Sequence, residues 1–253
     1  MVRMIMHGCN GRMGRMIAGI ADNDPDIAIV AGVDINTEQT ADFPVTDSID
    51  KVDVAADVVV DFGNAAAVDK VIDWCVDKKI PLVECTTGLS DETLAKLEEA
   101  SKNVAMFKSA NMSLGINRRQ KILQENSAAL ADAGFDIEIV EKHHRTKLDA
   151  PSGTALALAD SVNDGLAVRK DYVFDRSGRR MKRPDTEIGI SAVRGGTIVG
   201  DHDVIFAGQD EVITFSHVAY SRAVFAKGAI QAAKFVAGKG PGKYDMRNVV
   251  SHR

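Results

Sequence analysis

The 253-residue chain has no long uncharged hydrophobic run, no pairable set of cysteines and no excess of basic residues. Nothing in it approaches the roughly 20 apolar residues of a membrane-spanning helix. The N-terminal MVRMIMHGCNG is apolar over too short a stretch for a secretory signal. The three cysteines, Cys9, Cys75 and Cys85, are an odd number with no CxxC or Cys/His ligand spacing. That excludes a disulfide framework, gives no reason to expect a metal centre, and suits a reducing cytosol. Thirty-one Lys and Arg against 36 Asp and Glu leave a net charge of -5, so no global field gathers nucleic acid or an anionic membrane. Repeats and low-complexity tracts are missing too. What remains is a cytoplasmic globular chain, long enough for one large domain or two modest ones.

The first half alternates strand-like and helix-like segments. Val2 to His7, Ile27 to Asp34, Val58 to Phe62 and Pro81 to Cys85 read as strands. Arg12 to Asn23, Ala65 to Lys78 and Asp91 to Ser101 have helical spacing, with Ser90 and Thr93 placed to cap the last. Such alternation predicts a parallel sheet covered on both faces. After about Ala110 the pattern changes. A helix from Gly115 to Ala133 precedes a strand from Phe135 to His144 and a helix from Ser152 to Asp164. Three β-rich runs follow (IGISAV, TIVGDHDVIFAG and EVITFSHVAY), punctuated at Gly195-Gly196 and Gly208 to Asp210 as though by hairpin turns. These predict a second α+β domain on a mixed or antiparallel sheet. Ser221 to Ala237 returns to helical spacing, and GKGPGK has turn chemistry.

Two regions carry chemistry. HGCNGRMGRM sets Gly8, Gly11 and Gly14 between a strand and a helix. A strand, glycine turn and helix let backbone approach a pyrophosphate and aim the helix N-terminus at its charge. A tight turn whose glycines serve only packing would have the same spacing. Asp34 ends the second strand, where an acid hydrogen-bonds an adenine-side ribose. Ile35 and Asn36 follow it, and the next basic residue is Lys51, so the pattern favours NADH over NADPH. Cys85-Thr86-Thr87-Gly88 and Ser109-Ala110-Asn111-Met112 each follow a predicted strand and are candidate nicotinamide-side loops.

The second region is EKHHRTKLDAPSGTALAL, Glu141 to Leu158. His143 and His144 point to opposite sides unless the strand has ended between them. Lys147 lies in the loop beyond, and Pro151-Ser152-Gly153-Thr154 opens a helix with Asp149 or Ser152 placed as cap. A helix start with free N–H groups, a hydroxyl and a small residue is an anion-binding device. Nearby His and Lys supply protons or positive charge. The run suits a small acidic substrate undergoing proton transfer.

With these residues in view, the chain resembles the dihydrodipicolinate reductase (4-hydroxy-tetrahydrodipicolinate reductase) family. The resemblance rests on GxxGRMG, ExHHxxKxDAPSGTA, TTG at Thr86 to Gly88, ANxSxGxN at Ala110 to Asn117 and VRxGxIVGxH at Val193 to His202. SRxxFAxGA and DMR at Asp245 to Arg247 complete it, so it spans essentially the whole chain. It implies NAD(P)H-dependent reduction of a cyclic imine dicarboxylate in lysine and diaminopimelate biosynthesis, by a homotetramer whose domains close on the substrate. It implies a dinucleotide-binding domain of residues 1–110 with 222–253, and a substrate-binding and oligomerisation domain of residues 111–221. Gly8, Cys9, Asn10, Gly11, Arg12 and Met13 would hold the pyrophosphate and Asp34 the ribose. Cys85, Thr86, Thr87, Ser109, Ala110, Asn111 and Met112 would line the nicotinamide. His143 would be the proton donor or acceptor and Lys147 a second donor; His144 and the helix start at Ser152, Gly153 and Thr154 would take the substrate carboxylates.

Several positions depart from the family pattern. Cys85 stands where glycine is usual, Ile35 where a basic residue often follows the acid, and Met181 where the Arg176 to Arg183 loop usually has glycine. Arg118-Arg119-Gln120 replaces apolar residues at a helix start; burying two guanidiniums is costly, so they are expected exposed or paired. The basic run RRMKR is expected to be a solvated loop. His7, His202, His217 and Trp74 are expected to be structural. Two other readings compete: a two-domain dehydrogenase acting on an aspartate-derived aldehyde or amino acid, and a dinucleotide-sensing protein on the same fold.

Overall fold

The computed structural model describes residues 1–251, so the last two residues of the expected 222–253 segment lie outside the described residues. In chain order the elements are β1 (Val2–His7), α1 (Arg12–Ala21), β2 (Ile27–Val33), β3 (Val45–Thr46), β4 (Val58–Asp61), α2 (Ala65–Lys78), β5 (Leu82–Glu84), α3 (Asp91–Ala100) and β6 (Ala105–Lys108). They continue with α4 (Leu114–Asp132), β7 (Asp136–His143), α5 (Gly153–Gly165), β8 (Asp171–Val173), β9 (Glu187–Arg194), β10 (Asp201–Ala207) and β11 (Val212–Val218). The chain then closes with α6 (Ala223–Val236), β12 (Gly242–Tyr244) and α7 (Met246–Ser251). It divides into two compact units: Met1–Leu114 with the segment from Ala223 onward, and Gly115–Arg222.

In the first unit seven strands run in the order β12-β6-β5-β4-β1-β2-β3, every pair parallel. The order 3-2-1-4-5-6 within it is that of the dinucleotide-binding fold. β4 and β5 are buried along their whole length because helices cover both faces. One face packs Met4, Met6, Val58, Val60 and Phe107 against α1 and α6; the other packs Ile5, Val59, Leu82 and Met106 against α2 and α3. α6 approaches closely because it is lined by small residues: a Cβ on Gly228 would lie 1.7 Å from the Met112 carbonyl oxygen. Side-chain caps fix the helix starts, Asn64 on α2 and Ser90 on α3. The GKGPGK tail departs from the sequence expectation: Gly242–Tyr244 pairs in parallel with β6 and adds an edge strand to the sheet.

The second unit is a five-stranded mixed sheet in the order β11-β10-β7-β9-β8. β7 alternates strictly between half-buried and buried positions, so Ile137, Ile139, Glu141 and His143 share its inner face. Ile137 and Ile139 join Leu123, Leu158, Ile188 and Phe206 in one core under α4 and α5. Gly208 to Asp210 is a hairpin turn between β10 and β11, with Asp210 at φ 63. Gly195-Gly196 is not: β9 pairs in parallel with β7, so the chain crosses β7 before β10 begins. The basic run is solvated only in its middle, where Arg180, Met181 and Lys182 are exposed, and its ends are tied down. Arg176 bonds Glu138 and Glu187, Arg179 bonds Glu187, and Arg183 bonds Glu138 and Asp136, which ties the loop to sheet carboxylates. Among the described residues no helix is long and apolar enough to cross a membrane.

Candidate active site

In the first unit, the candidate dinucleotide-side residues lie at the carboxyl ends of the parallel strands. Gly8 sits at φ 76, and a Cβ there would lie 2.6 Å from the Phe62 carbonyl oxygen. A Cβ on Gly14 would lie 2.2 Å from the Gly8 carbonyl oxygen, so α1 can begin this close to the turn only with glycine at both positions. Gly11 is the N-cap of α1 and brings no side chain to its first N–H groups. That leaves the donors and the positive end of the helix dipole for an anion. Asp34 accepts from the backbone N–H of Asn10 at 2.9 Å and of Asn36 at 3.0 Å, which joins the glycine turn to the end of β2. A carboxylate has about four acceptor positions, so ribose hydroxyls still find room on it. Asn10 donates to the Asn36 and Glu38 carbonyls, and Ile35 is 97% exposed, so the turn beside Asp34 offers no cation to a 2′-phosphate. A glycine cradle, an uncapped helix start and a strand-end acid together fit a dinucleotide.

The other dinucleotide-side residues are placed variously. Cys9 points away from the turn and packs in the core, so close to β2 that a Cβ on Gly32 would lie 2.6 Å from its Sγ; burial pushes its thiol up to about 11. Arg12 is exposed and Met13 half-buried at the start of α1. Cys85 packs partly against the first core, and burial raises its thiol well above the ordinary value. Thr86 is buried, and its N–H donates to Glu84 Oε1 at 2.5 Å; Thr87 beyond it is exposed. After β6, Ser109 Oγ donates to the Asn111 carbonyl and Asn111 Oδ1 accepts from the Ser113 N–H, which closes a compact turn from Ser109 through Ala110 and Asn111 to the buried Met112.

The second unit holds its own cluster, built around Glu141, which is fully buried. It accepts from His143 Nδ1 at 2.6 Å, from the Ser152 N–H at 2.9 Å, and from both Arg194 terminal nitrogens at 2.7 and 2.6 Å. The sequence dictates this: residues two apart on a strand share a face, and β9 sets Arg194 beside His143 in the ladder. Burial alone would raise the Glu141 carboxyl, but the bonds from Arg194, His143 and Ser152 outweigh it and hold it below the usual range. With Nδ1 bonded to a carboxylate, His143 presents Nε2 outward, and burial holds the imidazole below its ordinary value. A Cβ on Gly200 would lie 3.0 Å from that Nε2, so glycine there keeps its surroundings open.

β7 ends at His143, so His144 lies beyond the strand and its Nδ1 pairs with Thr146 Oγ1 at 2.8 Å, away from Glu141. Lys147 is paired to Asp149 at 2.7 Å, and Arg194 also holds the Asp149 carbonyl. Ser152, not Asp149, caps α5: its Oγ accepts from the Ala155 N–H at 3.2 Å and also meets His202 Nε2 at 3.1 Å. Its hydroxyl is therefore engaged, and the Gly153 N–H beside it bonds the Asp149 carboxylate, while a Cβ on Gly153 would meet only open space. His202 stacks edge-on against His143 at 5.1 Å between ring centroids; burial, then the neighbouring His143 and Arg119, pushes its imidazole down to about 3.

The expectation for Arg119 needs correction. Arg118 is exposed, but Arg119 is buried, with one terminal nitrogen bonded to the His202 and Phe215 carbonyls at 2.6 and 3.1 Å and no carboxylate paired with it among the described residues. Burial pushes its guanidinium down to about 10. The sequence reading assigns no role to Glu141, Arg194 or His202. Strand alternation from His143 is the signal for the first, and the VRxGxIVGxH run for the other two.

A parallel sheet in this strand order, with a glycine-cradled helix start at its switch point and a histidine–carboxylate couple in a second unit, defines a dinucleotide-binding oxidoreductase. Family models agree: "Dihydrodipicolinate reductase, N-terminus" matches residues 2–112 and "Dihydrodipicolinate reductase, C-terminus" matches residues 115–250. The chain is 52% identical to a 4-hydroxy-tetrahydrodipicolinate reductase of Caldanaerobacter subterraneus subsp. tengcongensis, covering 99% of this chain and 98% of that one. It is 51% identical to one of Clostridium tetani over 97% and 96% of the two chains. A solved dihydrodipicolinate reductase from Paenisporosarcina sp. TG-14, with dipicolinate bound, superposes with a TM-score of 0.76 at 26% identity, covering 98% and 99%. The chain belongs to the dihydrodipicolinate reductase family.

Proposed function

We propose that the chain reduces the cyclic imine dicarboxylate 4-hydroxy-tetrahydrodipicolinate to tetrahydrodipicolinate in lysine and diaminopimelate biosynthesis, as a cytoplasmic homotetramer. NAD(P)H supplies the hydride when bound, and NADH is preferred. The observation that carries this reading is the Glu141–His143 couple beside the start of α5. The substrate loses its 4-hydroxyl as water to give a conjugated ring, across which that hydride and a proton would add.

Gly8 to Met13 and the open end of α1 bind the pyrophosphate, and Asp34 binds the adenine-side ribose. Cys85, Thr86, Thr87 and Ser109 to Met112 line the nicotinamide. The N–H groups at Gly153 and Thr154, with His144, take the substrate carboxylates. His143 is neutral in the free protein; an arriving dicarboxylate raises its proton affinity, because an opposite charge nearby favours the charged form. Glu141 then stabilises the imidazolium through Nδ1, and Nε2 delivers the proton as negative charge develops on the ring. Lys147 is the second donor once the substrate draws it from Asp149. A positioned acid of this kind contributes typically about 10²–10⁴-fold. The preference for NADH follows from Asp34 followed by an apolar Ile35.

The test is oxidation of NADH and NADPH with substrate made in situ from pyruvate and aspartate semialdehyde by the preceding synthase, beside His143→Ala and Lys147→Ala. Fast NADH oxidation, lost in both variants, is the expected result. Faster oxidation of NADPH overturns the reading of Asp34 and Ile35. No oxidation by a protein that still binds dinucleotide favours a sensing role.

A further inference from the structure

Four ionisable side chains lie side by side across the centre of the parallel sheet. At the carboxyl ends of four neighbouring strands the ladder pairs His7 with Asp61, Asp61 with Glu84, and Glu84 with Lys108. Asp61 and Glu84 are both fully buried. Asp61 Oδ1 is held by His7 Nδ1 and by the Gly63 N–H, each at 2.6 Å, and Glu84 Oε1 by the Thr86 N–H at 2.5 Å. The remaining oxygens, Asp61 Oδ2 and Glu84 Oε2, receive no N–H or hydroxyl among the described residues. The two carboxyls are direct neighbours across the β4–β5 ladder, each with one buried oxygen left over, and a single proton shared between those oxygens satisfies both.

We propose that Asp61 and Glu84 share one proton and are positioning residues for the dinucleotide: through it they hold the β1, β4 and β5 loops together, and dinucleotide affinity falls when the proton leaves. The geometry connects each carboxyl to a loop. Glu84 fixes Thr86 in the candidate nicotinamide loop, whose carbonyl Lys108 also reaches at 3.4 Å. Asp61 fixes Gly63, and the Phe62 carbonyl just before it is the atom against which Gly8 of the phosphate turn packs. Two adjacent buried anions repel strongly, so loss of the proton drives these loops apart.

Burial, then the Asp61 charge, pushes the Glu84 carboxyl up to about 9, against the pull of Lys108. The other groups facing the pair are His7 on β1, Cys75 on α2 and Cys85 after β5, and burial raises both thiols well above their ordinary value. Glu84 therefore keeps its proton at neutral pH and loses it in mild alkali.

This inference rests on the dinucleotide half of the proposed function and not on the substrate chemistry, so it is tested without substrate. NADH binding is titrated by nucleotide fluorescence on the full chain at about pH 7.5 and about pH 10, for wild type and Glu84→Gln. If only the protonated pair is competent, the wild-type Kd weakens about tenfold over that range. In Glu84→Gln the amide offers an N–H to Asp61 and a carbonyl to Thr86 with no dissociable proton, so the ratio of the two Kd values stays within about twofold of one. A flat wild-type profile, or a variant that weakens in parallel with wild type, overturns the proposal. Infrared difference spectra of the wild type give a second reading that needs no folded variant. The carbonyl stretch of a protonated carboxyl is expected at the lower pH and lost at the higher, and its absence at the lower pH also overturns the proposal. Failure to bind NADH at the lower pH defeats the dinucleotide reading itself, a result distinct from binding that ignores pH.

Discussion

Replacing His202 by Gln should make the protein less sensitive to mild acid, by an amount that the structure sets. His202 is 4% exposed, touches the Ser152 hydroxyl and the His143 ring, and is pushed from 6.5 to about 3. Because the folded state disfavours its protonation, the unfolded chain binds the proton first. Stability that is complete above about pH 6.5 is therefore lost progressively as pH falls toward 3. At pH 5 the unfolded imidazole is protonated and the folded one is not, which corresponds to about 2 kcal/mol, or 1.5 units at about 1.4 kcal/mol each. His143 and His217 are also held below their ordinary value and are present in both proteins, so the difference reports His202 together with its coupling to these two neighbours. Urea unfolding at neutral pH and at pH 5 measures the difference. Wild type should lose about 2 kcal/mol more than His202→Gln between the two conditions. Equal losses would refute the argument, since they would mean that His202 titrates in the folded protein as it does in the unfolded chain.

Other perturbations follow from the same geometry. Glu141→Gln removes the negative charge and one of the two acceptor oxygens that hold His143, Arg194 and Ser152, and should lower kcat by at least about 10²-fold with a small change in KM, read by steady-state dinucleotide oxidation. Gly14→Ala forces a Cβ to within 2.2 Å of the Gly8 carbonyl oxygen; it should cost about 1–3 kcal/mol in thermal or urea unfolding and abolish NADH binding. Ile35→Arg places a cation beside Asp34 at a position 97% exposed, so the ratio of NADPH to NADH efficiency should rise about tenfold while the melting temperature holds. An unchanged cofactor ratio would show that the 2′-position does not approach this turn.

Local pattern carried much of the architecture because apolar runs and end signals coincide. VVVD, set between Asp57 and a Phe-Gly turn, reads as a short buried strand, and Asn-Ala-Ala and Ser-Asp-Glu open α2 and α3. The two-residue β3 and three-residue β8 and β12 have no period of their own and exist only through a neighbour's ladder. The same limit hid the crossing of β9 over β7, since two glycines describe a bend and not its destination. In the site, the proximity of Glu141 and His143 follows from a two-residue spacing, while Arg194 joins them through a pairing 53 residues away. Arg119 reads as a surface residue from its charge and is buried by the helix face it occupies, with carbonyls in place of a carboxylate partner. The acid ladder was invisible for a further reason: His7, Asp61, Glu84 and Lys108 come from four separate strands and meet only when the sheet is assembled.

The return of the chain to the first unit at Ala223 has a consequence for biosynthesis. When the ribosome has made residues 1–114, β6 has no β12 beside it, and the sheet face bearing Met4, Met6, Val58, Val83 and Phe107 has no α6 to cover it. The part of that face that α1 does not cover stays open to water while the whole of Gly115–Arg222 is translated, several seconds or more at about 5–20 residues per second. The inserted unit, whose elements are contiguous, can fold first as it emerges. A nascent chain that stalls before Ala223 therefore presents an unpaired strand and a bare apolar layer to the cell, which makes it a client for chaperones at that stage of its synthesis and a target for degradation if synthesis does not resume.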